Sequence, residues 1–150
     1  MKLPPGLVGG LLSLPPMKLL ILPSTMKNAL AKDRRLERVT KICRALPEAS
    51  FEIAGKHATY QVRNQTFAYY LNDHHGDGII SVCCKVLPGD NAVLIAAHPK
   101  KFYMPAYIGP RGWVALRLDV PGVDWNEVTE LIRGSYRLIA PQKLAYLVRA

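Results

Sequence analysis

Apolar positions along this chain recur in two periods, and the two periods divide it into helices and strands. Leu36, Val39, Cys43 and Leu46 fall at i, i+3, i+7 and i+10, a single helical face. Arg34, Arg38 and Lys41 lie nearly opposite, so a helix is expected over residues 28–46, stopped by Pro47. Period two follows. Ala58, Tyr60 and Val62 alternate with His57, Thr59, Gln61 and Arg63; Phe67, Tyr69 and Leu71 share a face; Ile80, Val82 and Cys84 share another. The spacing predicts strands over 57–63, 66–71 and 79–85. An Asn64-Gln65 turn joins the first two, and the polar tip NDHHGDG at 72–78 joins the next two. Tight connections of this kind favour antiparallel pairing.

Beyond the meander, 88–97 reads as a short helix with Val93, Leu94 and Ala97 inward, and the Pro-rich 99–110 reads as loop. A strand over 112–118 sets Val114, Leu116 and Leu118 against Trp113, Ala115 and Arg117. The last long helix has the sharpest pattern. Asp124 followed by Glu127 is a capping box, and Trp125, Val128, Ile132, Tyr136 and Ile139 form the apolar stripe, flanked by Leu131 and Leu138. Pro141 ends it, and one further helical piece is expected over 142–149. Ser135-Tyr136 reads as helix packing, with the Tyr hydroxyl bonded near the surface.

At 150 residues the pattern fits one domain, and 49% hydrophobic against 21% charged residues is a foldable balance. Met1–Thr25 is set apart. It is apolar but broken by Pro4, Pro5, Pro15, Pro16 and Pro23, too interrupted for a membrane span or a secretory h-region. It is read as a disordered extension or an upstream start, with the folded domain beginning at Met26. Three cysteines (Cys43, Cys83, Cys84) with no CxxC spacing argue for a reducing compartment, and a cytoplasmic location is the expectation.

Charge adds a partner class. The formal net charge is +9, and with only Lys2 and Lys18 in the first 25 residues, the remainder keeps 18 bases against 11 acids, or +7. Such an excess attracts anions over long range. If Val62, Val82 and Val114 face the helices, the other sheet face carries His57, Thr59, Gln61, Arg63, Ser81, Lys85, Trp113 and Arg117. A polar, basic face with one aromatic ring suits nucleic acid, through phosphate attraction and stacking. Lys100, Lys101 and Arg111 bracket the Pro-rich loop and join that set. Arg34, Arg38 and Lys41 form a further basic stripe, equally explained as a solvated helix face.

Several chemistries lack their signatures. Asp73, His74, His75 and Asp77 crowd one hairpin tip without ligand spacing, so no metal is expected. Glu48, Glu52 and Asp119 belong to no acid–base constellation, Ser135 has no nucleophile-elbow context, and neither GxxxxGK[ST] nor GxGxxG occurs. No catalytic residue and no cofactor are expected.

From Met26 onward the chain resembles the MmcQ/YjbR-like proteins. The resemblance rests on LPE at 46–48, the strand around Phe67, Lys85 followed by Pro88, the P-x-Y-x-G-x-R-G-W-V run at 105–114, VDW at 123–125 and SYRL at 135–138. It implies an α+β domain with an antiparallel sheet backed by helices, CyaY-like, and DNA binding in a double-wing arrangement with hairpins as wings. The wings here would be the turns at 63–65 and 72–78. The expected role is weak, phosphate-dominated DNA binding through Arg63, Lys85, Lys100, Lys101, Arg111, Trp113 and Arg117. The alternative is a protein- or ligand-binding module using the Trp113 face. A membrane partner is not expected, and oligomeric state is left open.

Overall fold

The structure, a computed structural model, describes residues 22–149. Most of the segment read as an extension, residues 1–21, lies outside the described residues. The expected first helix is two helices, α1 (Ser24–Lys32) and α2 (Arg34–Arg44). Asp33 breaks it: its backbone is extended (φ −131°, ψ 101°), and its Oδ1 accepts the N–H groups of Arg35 and Leu36, both at 3.1 Å. A short carboxylate side chain competes with helix continuation and wins as an N-cap. The expected stripe is buried: Leu36, Val39, Cys43 and Leu46.

Six antiparallel strands follow in the order β1-β2-β3-β4-β6-β5: β1 (Ala49–Ala54), β2 (His57–Val62), β3 (Gln65–Asn72), β4 (Ile80–Lys85), β5 (Phe102–Tyr103) and β6 (Trp113–Arg117). Sequence reasoning missed β1, an edge strand whose alternation of half-buried Phe51 and Ile53 with Glu52 is too short to stand out. It also missed β5, which pairs its two residues with Leu116 and Ala115 inside the presumed loop. The β2–β3 turn sits at Arg63 and Asn64, both with positive φ (50° and 66°), one residue earlier than expected.

Three more helices complete the described residues: α3 (Asp90–Ala97), α4 (Trp125–Ile139) and α5 (Gln142–Ala145). α2 and α4 cover the face bearing Ala58, Tyr60, Val62, Ala68, Tyr70, Val82, Cys84, Val114 and Leu116, and the core sits between. α3 departs from its pattern. Val93 and Ala97 are exposed, and the buried residue is Asn91. Asn91 Nδ2 donates to the carbonyls of Gly109 (2.9 Å) and Trp113 (3.1 Å), so the helix packs through a hydrogen-bonding side chain that no apolar period reveals. At the start of α4, Asp124 accepts from Asn126 and Glu127 as a cap, but the box stays open because the Glu127 carboxylate takes Lys101 Nζ instead (2.9 Å).

One irregularity locks α4 to the sheet. Tyr60 pairs with Ala68 and Gln61 with Thr66, leaving Phe67 as a bulged residue of β3. Ser135 reaches into that gap. Its Oγ donates to the Phe67 carbonyl (2.6 Å) and accepts the Lys85 N–H (2.8 Å), so a helix hydroxyl bridges β3 and β4 where their ladder stops. The next residue, Tyr136, sets its ring edge-on to Phe67 (5.3 Å, 84°) and donates its hydroxyl to the Pro47 carbonyl (2.7 Å). Burial pushes that phenol's pKa up to about 12.

Candidate nucleic-acid interface

The sheet face opposite the helices is not the polar surface its alternation suggested. Cys83, Trp113 and Ala115 are buried there, with Tyr69, Leu71, Tyr103 and Ile108 packed around them. Segment 104–112 packs Ile108 on this second, smaller core, and Asn91 ties the segment at Gly109 to the start of β6 at Trp113. Trp113 is therefore on the expected face but only 7% exposed, its ring 5.5 Å from that of Tyr69. It offers no open surface for a base to stack on. Cys83 and Cys84 do point to opposite faces, and each is buried. Burial pushes the Cys83 thiol up to about 12 and holds Cys84 well above the ordinary range, so neither is a ready thiolate at neutral pH.

The expected cations divide between the two ends of the sheet. Lys85 pairs with Trp113 and Ser81 with Arg117, and these pairs are four residues, or about 13 Å, apart along the strands. Lys85, Arg111 and the Arg63 turn lie at one end. Lys100, Lys101 and Arg117 lie at the other, where the Arg117 N–H donates to the Lys101 carbonyl. The two wing candidates, the β2–β3 turn and the 72–78 tip, are at opposite ends for the same reason.

Several of these charges are already met. Arg63 grips Glu48 with two bonds (2.6 and 3.0 Å), Arg117 grips Asp119 the same way (both 3.0 Å), and Lys101 bonds both oxygens of Glu127. The hydrogen bond from Arg63 holds Glu48 below the usual carboxylate range, and that from Arg117 does the same for Asp119. Both pairs thus stand at neutral pH. Lys85, Lys100 and Arg111 make no ion pair among the described residues, and no side-chain hydrogen bond holds the Arg111 head.

The end that carries Lys85 and Arg111 gathers further cations. Ser135 and Tyr136 bring the last turns of α4 there, and Arg137 Nη1 donates to the Val148 carbonyl (2.7 Å), drawing in the C-terminal segment. Arg137 and Lys143 have no carboxylate partner among the described residues, and Arg149 lies over the Tyr146 ring at 4.0 Å. Lys143 is near enough to Glu48 to help hold it ionised. Arg137, Lys143 and Arg149 escaped the sequence reading because nothing local to them says that the end of α4 and the C-terminal segment pack at this end of the sheet.

At the 72–78 tip, Asp73 Oδ1 accepts the Gly78 N–H (2.6 Å) and Asp77 Oδ1 accepts the Ile79 N–H (2.9 Å), so both acids serve the backbone turn. No three of His, Cys, Asp and Glu come together as a metal-ligand group among the described residues. His57 is tied in by accepting the Asn72 N–H on Nδ1 (3.1 Å), with the His74 ring 5.2 Å away. Burial first, then the charges of His74 and Lys56, lower its pKa from the ordinary 6.5. A depressed histidine contributes stability that is full above its unfolded pKa and is lost as pH falls toward the folded value. The melting-temperature gap between wild type and His57→Ala is therefore expected to narrow as pH drops from about 7 to about 5. A gap that stays constant over that range would refute the assignment.

Among the described residues, no helix is long and apolar enough to cross a membrane. What the fold and this surface define is a small α+β domain, an antiparallel sheet backed on one face by helices with cations at both ends. The chain belongs to the YjbR family, whose model matches residues 44–138, as the resemblance implied. It is similar in structure to the crystal structure of Deinococcus radiodurans protein DR2400, a DUF419 domain, with a TM-score of 0.57 and 24% identity over 69% of this chain and 76% of that one. That likeness concerns the fold. No curated protein matches the chain.

Proposed function

We propose that this domain binds DNA weakly through its phosphates, at the end of the sheet that carries Lys85 and Arg111. The observation that supports the reading is a gathering of cations without carboxylate partners (Lys85, Arg111, Arg137 and Lys143) beside a rigid sheet end. Cations of that kind neutralise phosphates and release counterions, which gives affinity without sequence preference. Arg63 contributes field but not a free head, because Glu48 occupies it. Lys100, Lys101 and Arg117 lie at the other end of the strands, and Lys101 and Arg117 already hold Glu127 and Asp119.

The test is a titration of duplex DNA across salt concentrations. Each phosphate neutralised steepens the log–log slope by about 0.9. Lys85→Glu with Arg111→Glu is expected to abolish binding while leaving the melting temperature within a few degrees of wild type. Binding that is indifferent to salt, or that survives both reversals, would sink the proposal.

A second reading, a small-ligand module, moves away from the buried Trp113 face. A cleft of about 680 Å³ opens at the other end of the sheet, between apolar Leu116, Val120 and Val123 and the Lys101–Glu127 pair. Its size falls within the usual range for ligand pockets.

A further inference from the structure

A second notch of about 330 Å³, sharing Val120 and Val123 with that cleft, lies between the first turns of α2 and the segment 118–125, lined by Arg34, Arg35, Arg38, Leu118 and Trp125, with Glu37 its only acid. We infer that this notch is a binding site for the phosphate group of a small phosphomonoester or diphosphate, held by the guanidinium groups of Arg34, Arg35 and Arg38.

Two of the three heads are fixed in place rather than extended into water. Arg35 donates Nε to the Leu118 carbonyl (2.8 Å), which leaves both its terminal nitrogens free. Arg38 lies over the Trp125 ring, 4.3 Å from its centroid, which leaves its donor edges free. None of the three makes an ion pair among the described residues. Asp33, next to Arg34 in sequence, is engaged elsewhere: Oδ1 takes two backbone N–H groups and Oδ2 takes the Tyr70 hydroxyl at 2.7 Å. The N–H groups of Arg35, Leu36 and Glu37 are taken by Asp33, so the site rests on side chains. No Asp or Glu precedes Asp33 in the chain, so the N-terminal segment has no carboxylate to offer either.

Three guanidinium groups against the single Glu37 carboxylate leave the notch with a net positive charge, which favours a further anion. Guanidinium forks match a phosphate's oxygens with paired, charge-assisted bonds, which lysines at the same positions would not reproduce. Leu118, Val120 and Val123 give the notch an apolar wall for the remainder of the ligand. It lies beside Leu118, just past the end of β6 that Arg117 occupies, away from Lys85 and Arg111. The inference therefore stands whether or not DNA binds at the other end.

The test uses the full chain, inorganic phosphate and inorganic pyrophosphate, with ionic strength held constant by sodium chloride. Trp125 lines the notch, so binding is read from tryptophan fluorescence and, independently, from the melting temperature. Pyrophosphate is expected to give a saturable fluorescence change and a rise in melting temperature, with phosphate acting more weakly. Arg34→Gln with Arg38→Gln, both exposed positions, is expected to weaken pyrophosphate by about tenfold or more, since each lost bond to a charged group costs that order. Lys at both positions should recover only part of the loss. Lys85→Glu with Arg111→Glu should bind pyrophosphate as wild type does, while Arg34→Gln with Arg38→Gln should keep the wild-type salt slope for DNA. The inference is overturned if chloride produces the same change, if the Gln variant binds equally well, or if the Lys85 and Arg111 reversals remove pyrophosphate binding.

Discussion

Ser135→Ala is expected to destabilise the domain by about 2–4 kcal/mol, since it leaves one buried and one part-buried backbone group without a partner, at roughly 1–3 kcal/mol for a buried one. The two are the Phe67 carbonyl and the Lys85 N–H, now joined through one fully buried hydroxyl. Removing one oxygen frees little volume, so the cost comes from lost bonds rather than from a cavity. In a domain of this size the loss corresponds to a fall in melting temperature of roughly 10 °C. Hydrogen exchange gives a second readout that packing alone would not move: the Lys85 amide should lose protection more than the amides of Val82 or Cys84, which are held in the strand ladder. A fall below about 0.5 kcal/mol, with Lys85 still protected, would show that β3 and β4 close without the helix.

The Ser135 bridge also marks where the sequence stops being legible. The α4 stripe and strands β2, β3, β4 and β6 could be read because each repeats its apolar residues at its own period over five residues or more. Ser135 and Asn91 could not, because each is a buried polar residue whose partners are tens of residues away: Phe67 at a separation of 68, Trp113 at 22. The same holds for the charges. A net excess of bases is visible in composition, but which bases remain free depends on long-range pairs such as Arg63 with Glu48, 15 apart, and Lys101 with Glu127, 26 apart. The Asp33 cap was within reach of the sequence. Its pattern, a short acidic residue just before a stripe that begins at Leu36, is a helix start, and the longer periodic run hid it.

Trp113→Ala is expected to cost about 3–5 kcal/mol, the range for truncating a large buried aromatic. The indole fills the small core on the outer sheet face against Tyr69, with Ile108 from the covering loop. Its loss leaves a void beneath segment 104–112, so the loop should lift. Cys83, now fully buried, should then react with a thiol reagent in the folded state far faster than in wild type. Trp113→Phe separates packing from recognition. It keeps a ring in the same space, so a modest fall in melting temperature with unchanged DNA affinity is expected. If Trp113→Phe keeps its stability but loses DNA binding, then the indole itself meets the partner, and the outer face rather than the Lys85–Arg111 end is the interface. The burial of Trp113 under the loop argues for the first outcome, because a ring 7% exposed can stack on a base only after the loop has moved.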